Sequence, residues 1–352
     1  MKNNLKKNLP RTIRELETFA RKKSSKGAFN WLNAAAESGI TKKINQDAFK
    51  KVEIIPNFFH DTSNLDTSTS FFGHKLSMPI IISPMGHQTQ FHKNGEAELA
   101  AGTKFENILL CFSTQGRMSL KQIKRKCPRG KFIWDFFPFG PRKWIKEQIM
   151  DAKNAGAIGC ALTVDAPIRS VRYLDRETKY DARKHGKFYK PMPPDISYAR
   201  KLKSEDLKWM KEYCDKTPFI VKGILSSHDA NLAIKNGVDV IWVSNHGGRM
   251  LESGYSSLKA LIEIKKNVKK KIPIFFDSGV RSGSDILKAI GLGADIVGLG
   301  RPAIYGLIWA GKKGVNHMLT LLREEFETAM INSSISKISD ITARNIMKSN
   351  LK

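Results

Sequence analysis

Short apolar runs recur along the chain from about residue 79 onward, and segments with helical periodicity lie between them. The runs are continuously apolar rather than alternating, which is typical of parallel strands that are covered on both faces. Eight such runs, each followed by a helix, predict an α/β fold of the (β/α)8 TIM barrel type rather than a doubly wound open sheet. The predicted strands are Pro79–Ser83, Ile108–Ser113, Phe132–Phe137, Ile158–Asp165, Phe219–Ile224, Val240–Asn245, Ile272–Gly279 and Asp295–Gly300.

The same pattern predicts how the chain is divided. Residues 1–70 precede the first predicted strand and are mostly helical in pattern, so we expect an N-terminal helical extension that packs as a cap on the barrel. Residues 71–352 would form the barrel itself, with a helical C-terminal end. Between the fourth and fifth strands, residues 173–210 are basic and contain several prolines, which indicates an excursion rather than a plain crossover helix.

Polar and charged side chains follow the apolar runs at the ends of seven of the eight predicted strands. In barrels of this kind the active site lies at the carboxyl ends of the strands. The sequence therefore predicts a convergent site there. Its candidate residues are Ser113, Asp135, Thr163, Asp165, Lys222, His246, Arg249, Asp277 and Arg301.

Two glycine-rich stretches, "DSGVRSGSD" and "GLGRP", follow the seventh and eighth strands. Barrels commonly bind phosphate at this position, through backbone N–H groups and a helix N-terminus. Gly279 and Gly300 would let the backbone approach closely, and Arg281 and Arg301 can each direct two N–H groups at phosphate oxygens. The alternative is that these glycines only form tight turns. The pattern leaves open whether the phosphate belongs to a substrate or to a cofactor.

His246 lies directly after the sixth strand, in "VSNHGGR", with Arg249 on the same turn. A lone histidine is more often structural than catalytic, but a base beside a carboxylate-binding arginine suits proton abstraction next to a carboxylate. Asp165 is the candidate to orient the imidazole, and Arg172 could supply a second cation. Lys222 has apolar neighbours and needs a partner, which would be either a barrel carboxylate or an electron-rich cofactor ring.

The charge of the chain raises the question of an anionic partner. Sixty Lys and Arg residues stand against 33 Asp and Glu residues, a formal net charge of +27. Such an excess suggests nucleic acid, an anionic membrane surface or a negatively charged substrate, although scattered lysines on solvated helices explain it equally well. No basic module with interleaved aromatic residues is present, so we expect no nucleic acid partner, while peripheral membrane contact stays open.

Compartment and metal binding can be judged from the cysteines and the N-terminus. The cysteines lack the spacing of a metal site, so we expect no metal and reduced thiols in an intracellular compartment. The basic N-terminus has no apolar signal region, and no run is long enough to span a membrane. We therefore expect a soluble, cytoplasmic protein. The four cysteines are Cys111, Cys127, Cys160 and Cys214.

Several stretches together resemble one known family. "VSNHGGR", "LTVDAP" with Arg172 downstream, "VKGI", "DSGVRSGSDILKAIGLGAD" and "LGRP" are similar to the FMN-dependent α-hydroxyacid oxidases and dehydrogenases, the glycolate oxidase and lactate oxidase family. The upstream "DTSTSFFGHKLSMPIIISPMG" resembles that family's approach to its first strand. The similarity runs from roughly residue 20 to 315, with motifs specific in order and spacing. It implies oxidation of a small L-2-hydroxy acid to the 2-oxo acid, with FMN as cofactor, in a homotetramer.

The resemblance also implies roles for individual residues. His246 would remove a proton from the substrate with Asp165 behind it, while Arg172 and Arg249 hold the substrate carboxylate. Lys222 would lie near flavin N1 and the C2 carbonyl and stabilise the reduced ring. Whether the electrons leave as a hydride or after carbanion formation, and which acceptor takes them, stays open. Further FMN contacts are implied for Ser113, Asp135, Thr163, Ser244, Asp277, Gly279, Arg281, Gly300 and Arg301.

Four positions depart from the family pattern, and all concern the expected substrate and flavin contacts. Trp31 stands where a tyrosine is usual, and Gln115 stands where a tryptophan is usual. Asp135 and Phe137 replace the glutamine and tyrosine of "FQLY". Because Phe137 lacks the phenol, the pocket is less polar there, and we predict a substrate other than glycolate or lactate.

Asp135 is the strangest of these changes. A glutamine amide can donate hydrogen bonds, whereas an ionised carboxylate can only accept them. Asp135 must therefore meet the flavin N3–H, be protonated, or pair with a cation such as Arg117 or Arg142.

Two alternative functions compete with this interpretation. One is an FMN barrel with different chemistry, such as isomerisation or oxidative modification of a peptide or small molecule. The other is a basic binding or scaffold protein, for which salt-sensitive binding to polyanions would be expected. The presence of His246, Asp165, Arg172 and Arg249 argues against the scaffold.

Overall fold

The chain before the barrel forms three helices in the computed structural model, which describes residues 9–186 and 188–348. They are α1 (Ile13–Lys23), α2 (Lys26–Asn33) and α3 (Ile40–Lys50). The side chains of Thr12 and Ser25 cap α1 and α2 by accepting hydrogen bonds from backbone N–H groups of the first turn. This segment places Trp31, on α2, over the barrel mouth described below.

Three short strands follow: β1 (Val52–Ile54), β2 (Thr69–Phe71) and β3 (His74–Leu76). The last two form an antiparallel hairpin. Phe71 and Leu76 of the hairpin are buried in one cluster with side chains from inside the barrel, among them Ile81, Leu109 and Phe275. The hairpin therefore closes the end of the barrel at which the strands begin.

Eight parallel strands close into a barrel in chain order, with the last strand paired to the first. This confirms the (β/α)8 prediction, because every predicted apolar run coincides with one barrel strand to within a few residues at either end. The strands are β4 (Ile80–Ile82), β5 (Leu109–Ser113), β6 (Lys131–Phe136), β7 (Gly159–Thr163), β8 (Phe219–Ile224), β9 (Val240–Val243), β10 (Ile274–Phe276) and β11 (Ile296–Leu299). A final strand, β12 (Ile346–Lys348), pairs antiparallel with β1.

Most strands end earlier than the apolar runs suggested. The seventh run was predicted over Ile272–Gly279, but its strand spans only Ile274–Phe276. The fourth was predicted over Ile158–Asp165, and its strand ends at Thr163. The difference has a physical reason: Asp165 and Asp277 lie past the ladder, where their carboxylates bond other side chains of the mouth.

Helices surround the barrel and bury its outer face in a large apolar core. Within residues 173–210 the chain forms a short helix and two 3₁₀ turns, Ala182–Lys184 and Ser197–Arg200, before the next crossover helix begins. None of the helices in the described ranges is long and apolar enough to cross a membrane. The helices are α4 (Gly95–Gly102), α5 (Leu120–Lys126), α6 (Arg142–Asn154), α7 (Tyr173–Thr178), α8 (Asp206–Cys214), α9 (Ser227–Lys235), α10 (Ser257–Asn267), α11 (Gly283–Gly291), α12 (Arg301–Ala310) and α13 (Lys312–Ile331).

Candidate active site

A cavity of about 370 Å³ opens where the barrel strands end. Fifteen of the seventeen residues that the sequence predicts for the site line this cavity, and the other two, Asp165 and Ser244, are bonded to side chains that line it. The barrel therefore brings together residues that are far apart in the chain. The fifteen are Trp31, Ser113, Gln115, Asp135, Phe137, Thr163, Arg172, Lys222, His246, Arg249, Asp277, Gly279, Arg281, Gly300 and Arg301.

His246 and Asp165 form a hydrogen-bonded pair, with 2.9 Å between imidazole Nδ1 and Oδ1 of the carboxylate. His246 lies in a left-handed turn (φ +58°), and its backbone N–H donates to the Ser244 hydroxyl at 3.1 Å. Burial raises the pKa of Asp165, but the imidazole's charge and hydrogen bond outweigh it, so the pKa is lowered. An ionised Asp165 accepts a hydrogen bond from Nδ1–H of His246, which leaves Nε2 as the nitrogen able to accept a proton.

Gly223 gives Asp165 the space that this pair needs. Its φ is +109°, and a Cβ atom added there would lie 2.7 Å from the Asp165 Cβ. Any larger residue would both strain the backbone and displace the carboxylate. The glycine of the "VKGI" motif is therefore required by the position of a carboxylate on the neighbouring strand.

Lys222 is buried beneath the cavity in a network of polar side chains. Its Nζ donates to the Ser244 hydroxyl at 2.7 Å and lies 3.4 Å from Oδ2 of Asp277. Ser244 in turn donates to the other carboxylate oxygen of Asp277 at 2.6 Å. Burial lowers the pKa of Lys222, but Asp277, Asp165 and Asp135 outweigh it, so the pKa is raised and the amine stays charged. The barrel carboxylate is thus its partner here, and as a lining residue it still faces any ring bound above it.

Asp135 is almost fully buried, with 1% of its surface exposed. The Thr163 hydroxyl donates to it at 2.5 Å, and burial raises the pKa of Asp135 to about 7. Of the three options, the structure does not show the pairing with Arg117 or Arg142, because Arg142 pairs with a carboxylate of α8 and Arg117 lies against His87. Of the options that the sequence left, protonation is the one that the burial of Asp135 favours.

Two arginines flank the indole of Trp31. The Arg249 guanidinium lies 4.9 Å from the ring centroid and donates to the backbone carbonyls of Trp31 and Ala34 at 2.9 and 2.8 Å. The Arg172 guanidinium lies 6.0 Å from the same ring and pairs with Asp175 at 2.7 Å. Burial, and then the charges of Arg172 and Arg301, hold the pKa of Arg249 well below its usual range. Buried cations held together in this way require an anionic ligand.

A second group of cations lies under the loops after β10 and β11. Arg301 donates from all three guanidinium nitrogens to the backbone carbonyls of Leu32, Gly247 and Ala34, each at 3.1 Å. Its burial, and then the charge of Arg281, lower the pKa of Arg301 to about 10.

The two glycines of these loops have different surroundings: Gly279 packs closely against the backbone of α3, and Gly300 lies in a more open place. Gly279 has φ +104°, and a Cβ there would lie 2.7 Å from the Asn45 carbonyl oxygen. Gly300 precedes α12, a helix of ten residues with a proline in its first turn. The helix N-terminus, the open backbone and Arg281 with Arg301 fit a phosphate group.

Lys42 is a member of this second group that the sequence did not reveal. Burial, and then the charges of Arg301 and Arg281, lower the pKa of Lys42 to about 7. Its amine donates to the Asn33 carbonyl oxygen at 3.0 Å. A lysine in a helical stretch far from the barrel strands gives no local signal of a site.

The cavity lining also includes apolar side chains. Phe137 stacks on Phe139 with 5.0 Å between ring centroids and an interplanar angle of 9°. Gln115 lies over Gly86 and donates from Nε2 to the Met192 sulfur at 3.3 Å. The predicted loss of polarity at Phe137 is therefore matched by a second ring beside it.

Several lining residues were missed, and His87 is the most notable. Burial, and then the charge of Arg117, lower the pKa of His87 to about 3, so the imidazole is neutral. Arg117 donates to its Nδ1 at 3.1 Å, which leaves the proton on Nε2, and the ring lies edge-on to Trp31 at 5.5 Å. His87 follows the first strand, so the strand-end rule could have found it. Among the other missed lining residues, five lie after the fourth strand in segments without periodicity: Ile168, Arg169, Asp181, Arg183 and Ile196.

The described residues show no group of three His, Cys, Asp or Glu side chains placed to hold a metal ion. All four cysteines are buried and free of disulfides.

Comparison with known sequences finds similarity along almost the whole chain. A family model described as FMN-dependent dehydrogenase matches residues 20–348. Glycolate oxidase 1 from Zea mays is 31% identical over 352 residues, which covers 95% of either protein. 2-Hydroxyacid oxidase 2 from Homo sapiens is 32% identical over 347 residues, covering 96% of this chain and 97% of its own.

Solved structures show the same likeness in three dimensions. A protein described as a lactate oxidase from Pediococcus acidilactici superposes with a TM-score of 0.89 at 32% identity, covering 96% of this chain and 94% of its own. A soluble mutant of the membrane-associated (S)-mandelate dehydrogenase from Pseudomonas putida gives the same TM-score at 26% identity, covering 96% and 99%.

Proposed function

Because the chain belongs to the FMN-dependent dehydrogenase family, we propose that its barrel mouth oxidises an L-2-hydroxy acid larger than lactate. The family and the relatives show that the protein is a flavoprotein oxidoreductase that uses FMN and acts on the CH–OH group of 2-hydroxy acids. The observation that supports the proposed reaction is the His246–Asp165 pair, because His246 lines the same cavity as Arg172 and Arg249.

The residues divide the work of binding and proton transfer. Arg172 and Arg249 bind the carboxylate of the substrate, which places the hydroxyl-bearing carbon beside His246. His246 accepts a substrate proton at Nε2, and Asp165 stabilises the imidazolium that results. Bound FMN supplies the acceptor for the two electrons that the substrate loses.

The cofactor fits the remaining polar residues. Arg281, Gly279 and the start of α12 after Gly300 would hold the phosphate, and Lys222 would face the electron-rich edge of the ring. Asp135 and Thr163 lie at the floor of the cavity, where a half-protonated carboxyl can either donate or accept a hydrogen bond.

The size of the substrate is inferred from the apolar wall. Phe137, Phe139, Ile168 and Ile196 all line the cavity, so they offer apolar surface that a methyl group alone would not cover. Trp31 adds a broad ring over the mouth. A side chain of several carbons would fill this space.

Anaerobic mixing of the purified yellow protein with a panel of 2-hydroxy acids tests the proposal. We expect the flavin absorbance to bleach, and to bleach faster with acids of four or more carbons than with glycolate or lactate. Equal rates with lactate or glycolate would contradict the inferred substrate size. No bleaching with any 2-hydroxy acid would contradict the reaction and favour different FMN chemistry.

We further propose that the enzyme is a cytoplasmic homotetramer. The four free, buried cysteines fit a reducing compartment, and tetramers are implied by the family resemblance. Light scattering at micromolar concentration tests the assembly, and a stable monomer would contradict it. Cell fractionation tests the compartment, and recovery outside the cytoplasm would contradict it.

Peripheral contact with anionic membranes is a separate proposal, supported by the closed end of the barrel. Exposed basic clusters precede β6 and β10 on opposite sides of the ring, and Phe72 and Phe105 are exposed on the same end. Such a face suits anionic lipid headgroups. Sedimentation with phosphatidylserine vesicles should recover the protein at low salt only, whereas equal recovery with phosphatidylcholine would contradict the contact. The clusters are Lys124–Lys131 and Lys265–Lys271.

A further inference from the structure

The substrate side of the cavity carries more positive charge than a monocarboxylate can neutralise. Four guanidinium groups line it, and we call them the arginine rim: Arg169, Arg172, Arg183 and Arg249. Two carboxylates face them, those of Asp175 and Asp181. The rim therefore holds two positive charges in excess.

Arg183 is neutralised within the chain. Its Nε donates to both carboxylate oxygens of Asp181, at 2.9 and 3.0 Å, and Nη2 adds a bond of 2.6 Å. These bonds lower the pKa of Asp181, and burial, which would raise it, is the weaker effect. This carboxylate is therefore ionised. One positive and one negative charge thus cancel at this point of the rim.

Arg172 takes the second carboxylate. It pairs with Asp175 at 2.7 Å, whereas Arg169 lies 3.8 Å from the same oxygen. Arg249 bonds only backbone carbonyls among the contacts described above. The excess charge is therefore shared by Arg169 and Arg249, with Arg172 beside them.

Arg169 differs from its neighbours in being half exposed, with 50% of its side chain accessible, and in lacking a close acceptor. Its charge still reaches the others, because it adds to the effects that lower the pKa of Arg172 after burial. One carboxylate of a bound substrate would compensate Arg249 and leave Arg169 without an anion. An uncompensated cation beside a water-excluding ligand is unfavourable.

We propose that Arg169 binds a second carboxylate, at the end of the substrate side chain, so that the preferred substrate is a 2-hydroxydicarboxylic acid. This inference rests on the proposed function, since the first carboxylate must lie on Arg172 and Arg249. A dianion brings the rim to charge balance. The fork of N–H groups on Arg169 suits a carboxylate, which it can bind through two hydrogen bonds.

The shape of the cavity agrees with a dicarboxylic acid that has a methylene stem. Arg169 follows Ile168 in the chain, and Ile196 and Phe137 line the same cavity. These apolar side chains of the lining favour methylene groups in the ligand, and Arg169 and Arg172, which lie 3.8 and 2.7 Å from the same Asp175 oxygen, are close enough for one short dicarboxylate to reach both. The two ends of such a ligand are then held by arginines and its stem by side chains of the wall.

A matched pair of substrates tests the proposal on the FMN-loaded enzyme. 2-Hydroxyglutarate and 2-hydroxypentanoate have the same five-carbon chain and differ only in the terminal carboxylate. We expect anaerobic flavin reduction to be about tenfold to a hundredfold more efficient with the dicarboxylate, as for one charged hydrogen-bonded pair. Equal efficiency, or faster reduction by the monocarboxylate, would overturn the proposal.

Binding without turnover gives an independent measurement. Glutarate and pentanoate lack the hydroxyl group, so their dissociation constants can be read from the absorbance of the oxidised flavin. Glutarate should bind about tenfold or more tightly, and its advantage should shrink as salt is added. An equal dissociation constant for the two acids would contradict the second carboxylate site.

Variants assign the effect to Arg169. Arg169→Met should remove the advantage of both dicarboxylates and leave the monocarboxylates within about threefold, while Arg169→Lys retains part of it. Arg176→Met is the matched control, because Arg176 is an exposed residue of α7 outside the cavity lining, and it should change neither preference. An equal loss on both substrates in Arg169→Met would contradict a specific role. Failure of every 2-hydroxy acid would contradict the proposed function instead.

Discussion

The cavity holds cations at two ends in two different ways. At the end formed by the loops after β10 and β11, Arg301 is 8% exposed and every guanidinium nitrogen bonds a backbone carbonyl. At the other end, Arg169 is half exposed and its nearest acid is 3.8 Å away. Arg301 is therefore held in place without a ligand, whereas Arg169 has N–H groups that are free to donate to one.

The difference follows from what each end would bind. A cofactor is the same molecule in every turnover, so a rigid phosphate site loses little entropy when it is filled. A substrate side chain is what distinguishes one hydroxy acid from another, so its site is built on the excursion after β7. The residues that would bind the cofactor are therefore positioned by the barrel, and the residue that would distinguish between substrates lies on a loop.

The largest expected effect comes from the fixed part of the site. His246→Gln removes the nitrogen that accepts the substrate proton, so flavin reduction should slow by about 10²–10⁴-fold. FMN should stay bound, because His246 has no phosphate or ribityl role in this site. Rapid-mixing spectroscopy measures both quantities, and near-normal reduction would remove His246 from catalysis.

The next effect separates the two ends directly. Arg301→Met leaves the Gly247 carbonyl without its side-chain donor, at a cost of about 1–3 kcal/mol if that group stays unsatisfied, whereas the Leu32 and Ala34 carbonyls keep hydrogen bonds from Arg249. FMN affinity should fall, as measured by release of the flavin on dilution. Arg169→Met should leave FMN affinity unchanged. A similar loss of flavin in the two variants would show that the ends are not independent.

Stability as a function of pH should distinguish Asp135 from Asp181. Burial raises the pKa of Asp135 to about 7, so the folded protein holds a proton that the unfolded chain releases near pH 4. Stability from this group is present below pH 4 and is lost as pH rises towards 7, by about 1.4 kcal/mol per pH unit at most. The stability of the wild type relative to Asp135→Asn, measured by urea unfolding, should therefore fall as pH rises from 5 to 7, because this difference isolates Asp135 from the other groups that titrate.

Asp181 is the matched control with the opposite sign. Its pKa is lowered, mainly by its hydrogen bond with Arg183, so its contribution is present above the unfolded pKa near 4 and is lost as pH falls below it. Asp181→Asn should therefore leave the slope between pH 5 and 8 unchanged. A flatter slope in this variant would mean that Asp135 is not the group that titrates.

The smallest effect is expected at the paired arginine of the rim. Arg183 is largely exposed and already bonded to Asp181, and such surface pairs contribute about 0–1 kcal/mol. Arg183→Gln should change the unfolding midpoint only slightly and keep flavin reduction within about twofold. A large loss of substrate binding would place Arg183 with Arg169 as a ligand contact.

Much of the barrel could be predicted from the sequence, because a buried parallel strand leaves a continuous apolar run. The polar residues after those runs, such as His246 and Lys222, could be found for the same reason: a barrel brings all its strand ends to one rim. Their mutual distances could not be predicted, since a pair such as His246 and Asp165 depends on how the loops after β9 and β7 pack against each other.

Other features left no signal in the sequence. Arg169 and Ile196 lie in segments where neither helical nor strand periodicity applies, so their position over the cavity depends on tertiary packing. The partner of Asp135 could not be chosen from the sequence, which left the flavin N3–H, protonation and pairing with a cation open. The hydroxyl of Thr163, on the neighbouring strand, lies closer than either arginine.

The β2–β3 hairpin has a consequence for traffic through the enzyme. Phe71 and Leu76 close the end of the barrel at which the strands begin, so ligands reach the cavity through the opposite end. The hydroxy acid enters and the 2-oxo product leaves through the same opening. The electron acceptor of the flavin must also approach through it. A bulky oxidant could then bind only after the product has dissociated. Turnover would follow an ordered sequence in which the product leaves before the electron acceptor binds.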